Sequence, residues 1–256
     1  MSRQKERLDT LLVSRGLCET RSRAQSLILA GRVVVDDHRI DKAGTRVSVE
    51  AQIRVKGDQN PYVSRGGLKL EAALKAWSLD VAVDWAVDLG ASTGGFVDCL
   101  LQHGCCGVIA VDVGYGQLHP KLREDPRVHN LERTNARYLR RADLPLEAEQ
   151  NIALIVTDLS FISVEKMMDT VVDLLDEGGS WVCLVKPQFE VGREKLPKGG
   201  VVRDHELRQA SADRVCDCAA QHGFYEWARL DCPVHGPKGN IEILMWLRKS
   251  PPPHAG

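Results

Sequence analysis

DLGASTGGF, Asp88 to Phe96, reveals the architecture of this 256-residue chain. WAVDL, which runs into it, reads as a short buried strand. GFVDCLLQHG, which runs out of it, reads as a helix ending on the glycine C-cap Gly104. A strand ending in an acid, a tight Gly-rich turn and a helix start form the layout of a nucleotide-binding βα unit. The spacing is Asp88-x-Gly90-x-x-x-Gly94-Gly95, not the G-x-G-x-x-G of a dinucleotide fingerprint. Gly90 lets the chain turn sharply and the backbone approach a ligand, and Gly94-Gly95 let the ligand's end sit close. A ligand without a pyrophosphate does not need the phosphate-loop spacing.

Outward from this turn the chain alternates. Strands are predicted at 85–89, 107–112, 127–131, 152–157 and 180–185, with a final pair near 224–231 and 241–248. Five β units with helical crossovers argue a mostly parallel, doubly wound α/β sheet. The closing pair is too close together for a helical crossover and adds an antiparallel hairpin. The helix GGLKLEAALKAW, with Leu70, Ala73, Leu74 and Trp77 as its apolar stripe, leads into this domain.

Ahead of it lies a smaller α+β region. KERLDTLLVSRG places Leu8, Leu11 and Leu12 on one helical face and stops at Gly16. TRSRAQSLILAG starts on a Thr20 cap, buries Ala24, Leu27 and Ile28, and stops at Gly31. RVVVDDHRI reads as strand, turn, strand, and TRVSV and QIRV alternate with period two. The expected organisation is a small domain over 1–56, a linker over 57–63, a large domain over 64–250 and a frayed tail over 251–256.

Net charge is −1, so no global basic field points to nucleic acid. The halves differ, however. Residues 1–60 carry 12 Lys and Arg against 8 Asp and Glu, and residues 61–256 carry 22 against 27. A basic head on an acidic body suggests that the head meets a polyanion. Arg3, Lys5, Arg7, Arg15, Arg21, Arg23 and Arg32 lie in or beside its helical hairpin. A solvated helix surface is the plainer account of those charges.

No run of 18 apolar residues occurs, so no transmembrane helix is expected, and MSRQKERLDTLL lacks the apolar core of a secretory signal. A cytoplasmic protein without a membrane partner is the expectation, with a monomer as the default because the sequence does not show the oligomeric state. The 8 cysteines form no CxxC pair and are expected to be reduced thiols. Cys216-x-Cys218 lacks the spacing and second pair of a zinc site, so no metal is expected.

Ligands of an open α/β sheet sit at the carboxyl ends of its strands. Asp112 ends the second strand, 24 residues after Asp88, where an acid commonly holds ribose hydroxyls. Asn135 follows the third strand, where an adenine would lie. Asp158 ends IALIVTD, Lys186 ends SWVCLVK before a proline, and Glu242 opens the last strand. Lys69 sits in the first turn of its helix, at the unfavourable end of the dipole. Each has a plain structural alternative: a helix cap for Asp158, an edge snorkel for Lys186, a surface position for Glu242 and Lys69.

The acid and shifted glycines of DLGASTGGF resemble the first motif of S-adenosylmethionine-dependent methyltransferases. That resemblance implies a cofactor site of Asp88, Gly90, Ala91, Ser92, Thr93, Gly94, Gly95, Phe96, Asp112, Asn135 and Asp158. Nicotinamide or flavin is the competing ligand in this fold. RLDTLLVSRGLCETRSRAQSLILAGRVVVDD resembles an S4 RNA-binding domain, which reads RNA by shape and backbone. Lys69, Asp158, Lys186 and Glu242 resemble the K-D-K-E tetrad of FtsJ-like ribose 2′-O-methyltransferases. A ribose hydroxyl is a poor nucleophile whose proton must be taken, or whose oxyanion must be held, during attack. Lys186 is expected as base or oxyanion partner, Asp158 as its orienting group, Lys69 and Glu242 as support. A neighbouring lysine and burial are expected to push the amine's pKa down.

YVSRGGLKL, DLGASTGGF, VDVGYGQL, ERTNAR, TDLSFIS, LVKPQFE, GGVVRD and GNIE, in that order behind the S4-like head, resemble the TlyA family over nearly all of residues 3–248. The resemblance implies 2′-O-methylation of cytidine in ribosomal RNA of the large, and in some members the small, subunit. It also implies a role in sensitivity to capreomycin-type antibiotics and adds Arg65 to the RNA-binding set. VGREKLPKGGVVRD is expected to be a mobile loop offering Arg193, Lys195 and Lys198 to phosphates. The haemolysin label attached to this family implies a rival, membrane-active class, which should show amphipathic membrane segments or an export signal. A non-catalytic RNA-binding module is the other rival, as is another S4-linked enzyme such as a pseudouridine synthase.

Overall fold

The computed structural model describes residues 4–18, 20–56, 60–147, 149–192, 194, 196–236 and 238–252. Arg3, Arg193 and Lys195, and the last four residues of the expected tail, lie outside them. Two compact units emerge, residues 1–59 and 60–256.

In the first unit, β1 (Lys5–Arg7) precedes α1 (Leu8–Ser14) and α2 (Arg21–Leu29), followed by β2 (Val33–Val35), β3 (His38–Ile40), β4 (Arg46–Ser48) and β5 (Ile53–Val55). The helix expected from Lys5 begins only at Leu8. Residues 5–7 pair antiparallel with β4 instead, Lys5 opposite Ser48 and Arg7 opposite Arg46. The apolar stripe starts at Leu8, so nothing draws residues 5–7 onto the helix, while β4 supplies backbone partners. Thr20 caps α2 by accepting the Arg23 N–H. Asp36 and Asp37 carry the positive φ values of the two-residue turn between β2 and β3. Leu8, Leu12, Ala24, Ile28 and Val33 are fully buried and form the core.

The second unit runs α3 (Gly66–Trp77), β6 (Trp85–Leu89), α4 (Gly95–Gln102), β7 (Gly107–Val111), α5 (Pro120–Arg123), β8 (Val128–Leu131), β9 (Ile152–Thr157), α6 (Met168–Leu174), β10 (Ser180–Val185), α7 (Pro187–Glu190), α8 (His205–Gln221), β11 (Tyr225–Asp231) and β12 (Ile243–Arg248). The sheet order is β11-β12-β10-β9-β6-β7-β8. β12 runs antiparallel to β10 and to β11 on either side of it, and the remaining pairs of this sheet are parallel. This is the doubly wound α/β sheet with a terminal antiparallel hairpin that the alternation predicts. The crossovers are less helical than expected: α5 spans one turn, and two 3-10 turns, Ala136–Tyr138 and Arg141–Asp143, join β8 to β9. Tyr62, assigned to the linker, is buried against α3 and α4, and the Val63 N–H donates to Asp98.

Alternate strand residues supply the two faces. Val87, Leu89, Ile109 and Val111 pack with α6 and α8. Ala86, Val108, Ala110 and Val156 pack with α3 and α4. The chain leaves β6 for β7 and β8 on one side and returns through β9 to the other. The reversal therefore falls between β6 and β9, and the crevice at their carboxyl ends is where such folds bind ligands.

Candidate active site

Asp88 is the last residue but one of β6 and Gly90 follows the strand, while Asp158 follows β9, on either side of that crevice. Gly90 has φ +95°, and a Cβ there would lie 2.9 Å from the Leu159 Cδ2 and 3.0 Å from the Asp158 carbonyl oxygen. The turn is glycine because the end of β9 fills the space a side chain would take. Gly94 and Gly95 also answer a packing need. A Cβ on Gly94 would strike Leu122 at 2.3 Å. On Gly95 it would lie 2.8 Å from the Gly67 amide nitrogen and 3.1 Å from the Gly66 Cα. These two glycines let α5 and α3 close on α4. Gly94 lines neither cavity described below.

Two adjoining cavities share Gly90, Ser92, Asp158 and Ser160. The first, 330 Å³, gathers Arg65, Lys69, Asp88, Ala91, Thr93, Gly95, Phe96, Lys186 and Glu242. The second, 460 Å³, gathers Asp112, Asn135, Phe161 and Ile162. Asp112 lies one residue past β7, and its carboxylate accepts the N–H groups of Ser92 at 2.8 Å and Gly114 at 2.7 Å. Asn135 accepts the Arg137 N–H and caps the 3-10 turn after β8.

The first cavity holds the charged cluster. Lys69 Nζ donates to Glu242 Oε2 at 2.7 Å and to Asp158 Oδ2 at 3.2 Å. Lys186 Nζ is ion-paired with Asp158 Oδ1 at 2.5 Å and donates to the Ser160 hydroxyl at 3.2 Å. Two ammonium groups and two carboxylates thus balance in a site where Lys69, Lys186 and Glu242 are buried. Burial alone would lower the Lys69 pKa, yet the carboxylates of Asp158 and Glu242 outweigh it and raise the pKa. Attraction to the two acids thus wins over burial at Lys69. Burial pulls the Asp158 pKa up, and Lys186 and Lys69 together pull it below the ordinary carboxylate value.

Asp88 is the opposite case. It is buried, neither oxygen has a well-formed hydrogen bond, and only a weak pull from the Val97 amide opposes burial. Burial first, then Asp158 and Asp112, raise its pKa well above the ordinary value. A carboxyl with a raised folded pKa holds its proton more tightly folded than unfolded. Its contribution favours folding at low pH and weakens as pH climbs from the ordinary carboxylate value through the raised one. Asp88→Asn is therefore expected to stabilise the ligand-free protein, and more at pH 8 than at pH 5. The gain at pH 8 should be about 1–3 kcal/mol, roughly 2–4 °C in Tm per kcal/mol. Equal thermal shifts at the two pH values would exclude this account.

In the first unit the predicted cations divide. Arg7 and Arg21 both bind the fully buried Asp9 carboxylate, at 2.9 and 3.0 Å, and Gln25 adds a third donor at 2.9 Å. Arg15 donates to the Val49 and Ala51 carbonyls. Among the described residues, Lys5, Arg23 and Arg32 have no such internal tie. Arg65 belongs to the second unit, where it donates to the His235 carbonyl at 3.2 Å beside the first cavity. Ser64, Ser160, His235 and Gly236 also line that cavity and were not singled out from sequence. Serines and glycines in loops carry no local mark, though Ser160 lies only two residues past Asp158.

The sequence profile of the S4 domain matches residues 6–53, and that of the FtsJ-like methyltransferases matches 62–249. The Mycobacterium tuberculosis 16S/23S rRNA (cytidine-2′-O)-methyltransferase TlyA is 43% identical over 246 residues, spanning 96% of this chain and 90% of that one. Hemolysin A of Brachyspira hyodysenteriae is 41% identical over 243 residues, spanning 93% and 98%. The solved structure of a provisionally named hemolysin from Streptococcus thermophilus superposes with a TM-score of 0.75 at 40% identity, covering 99% of this chain and 92% of that one. An S4 domain in front, a methyltransferase fold behind it and relatives alike from end to end have one reading: this chain belongs to the TlyA family of methyltransferases.

Proposed function

We propose that the chain transfers a methyl group from S-adenosylmethionine to the ribose 2′-hydroxyl of cytidine in ribosomal RNA, within ribosomal subunits. The observation that carries this reading is the meeting of Lys69, Asp158, Lys186 and Glu242 in the cavity lined by the Asp88–Phe96 turn. The residues suit the cofactor. The carboxyl of Asp88, buried with no well-formed hydrogen bond to either oxygen, offers an acceptor to an ammonium group, and Asp112 and Asn135 flank a second cavity large enough for a nucleoside. When bound, the cofactor supplies an electrophilic methyl group. Lys186 stands at the hydroxyl, as proton acceptor or as donor to the developing oxyanion. Asp158 holds Lys186 in place, and Lys69 with Glu242 holds Asp158.

The test is transfer of tritiated methyl from S-adenosylmethionine to separated large and small subunits of an unmodified strain, followed by nucleoside analysis. The expected product is 2′-O-methylcytidine. Label on a base, or no label with cofactor saturating, would overturn the reading. The hemolysin names of two of these similar proteins bring a membrane-active alternative, and no helix among the described residues is long and apolar enough to cross a membrane.

The S4 unit is proposed to contact RNA phosphates through the cations left untied, Arg23 and Arg32 foremost. Replacing both with alanine should weaken subunit binding and lower the slope of log affinity against log salt by about one per residue. Affinity for S-adenosylmethionine should not change. An unchanged slope would remove these residues from the interface. Arg21 serves less well as a probe, since its loss would also disturb buried Asp9.

A further inference from the structure

Glu190 is a buried carboxyl outside both cavities. It closes the short helix α7, which begins directly after Lys186. Its Oε1 accepts the Val164 N–H at 2.9 Å, and Val164 opens the 3-10 turn that follows the Asp158–Ser163 loop. The other oxygen, Oε2, is buried with no well-formed hydrogen bond, although the Ser163 side chain lies near. Burial, chiefly, raises the carboxyl's pKa. Glu165 adds to that effect and Arg214 opposes it; Arg214 donates its own hydrogen bonds to the Glu190 carbonyl and to Glu165.

The same two segments touch at three places. Lys186 reaches Ser160, the Phe189 ring meets the Phe161 ring at 5.4 Å between centroids, and Glu190 holds Val164. Between the first and last contact the loop carries Phe161 at φ +68°, a conformation costly for a bulky residue. Such a residue stays there only if the chain on both sides is fixed. Asp158 fixes one side through its lysines. On the other side, the Val164 N–H is fixed by Glu190.

We infer that Glu190 is a positioning residue for methyl transfer: by holding the Val164 N–H it keeps the Asp158–Val164 loop in register with Lys186. This rests on the role proposed above for Lys186. It has one direct consequence. What matters is an acceptor at Oε1, and glutamine supplies the same acceptor without charge.

The test uses full-length protein and steady-state methyl transfer to ribosomal subunits, with wild type and Lys186→Ala in parallel. Glu190→Ala should lower kcat at least thirtyfold while the Kd for S-adenosylmethionine stays within threefold. Glu190→Gln should restore kcat to within threefold of wild type. Val164→Pro deletes the donor instead of the acceptor. Proline is well tolerated at the first position of a helical turn, and Ser163 already has the extended conformation proline asks of its predecessor. Val164→Pro should match Glu190→Ala in kcat, and the double variant should be no worse than either, because both remove one interaction. Wild-type kcat in Glu190→Ala or Val164→Pro, or a loss that glutamine does not recover, would overturn the inference. An inactive wild type or an active Lys186→Ala would overturn the proposed function instead.

Discussion

Lys186→Ala is expected to cut methyl transfer by about a thousandfold while S-adenosylmethionine still binds. The size follows from what a positioned proton-transfer group contributes, about 10²–10⁴ in rate. The selectivity follows from the geometry. Lys186 lies in the cavity with Lys69 and Glu242, whereas Asp112 and Asn135 line the neighbouring one. Removing the amine leaves Asp158 paired with Lys69 at 3.2 Å, so the loop after β9 keeps one of its two ionic ties. The cofactor Kd, by calorimetry, should stay within about threefold. Lys186→Arg separates the two roles open to this residue. Arginine keeps the charge but is never deprotonated in a protein. Partial activity in that variant would favour an oxyanion donor, and an inactive one would favour a base. Transfer at the wild-type rate in Lys186→Ala would remove Lys186 from the chemistry altogether.

What could be read from the sequence is what neighbouring residues determine. The β6–turn–α4 unit follows from an apolar run, an acid and three glycines within a dozen positions. The order of strands follows from alternation, and it brings the ends of β6 and β9 together. Lys186 and Asp158 were legible because ionisable groups at the carboxyl ends of apolar strands have few structural uses. The failures are those of tertiary partnership. Residues 5–7 look helical until β4, some forty residues on, offers them a ladder. Arg7 and Arg21 look like free phosphate-binding cations, yet both are tied to Asp9, whose burial has no local sign. Lys69, on its own, could pass for a surface lysine. In fact Asp158 lies between the two lysines and Glu242 arrives from 173 residues away, so attraction wins. Nothing in VKPQFE announces that its last side chain, Glu190, turns inward.

Gly95→Val should disable the enzyme from outside the charged cluster. Gly95 lines the first cavity, and a Cβ at this position would run into Ser64 and the start of α3. The Ser64 hydroxyl, 2.3 Å away, can rotate aside; the Gly67 nitrogen at 2.8 Å and the Gly66 Cα at 3.1 Å are backbone and cannot. Valine therefore has to push the start of α3 off α4. Lys69 sits on the first turn of α3, where it holds Glu242 and Asp158 at 2.7 and 3.2 Å. A displacement of about 1 Å in such a group can cost about a hundredfold in rate, and forcing a methyl-sized group into a packed contact costs about 1–3 kcal/mol. The expected result is a fall in kcat/KM of about a hundredfold or more together with a lower Tm. Gly223→Ala is the control. Gly223 follows α8 with φ +82° and open space around its Cβ position, so alanine there strains the backbone without touching the site. Its cost should be about 1 kcal/mol of stability with methyl transfer unchanged. If Gly95→Val lost stability but kept its rate, α3 would not be what places Lys69, and the tetrad would owe its geometry to Glu242 and Asp158 alone.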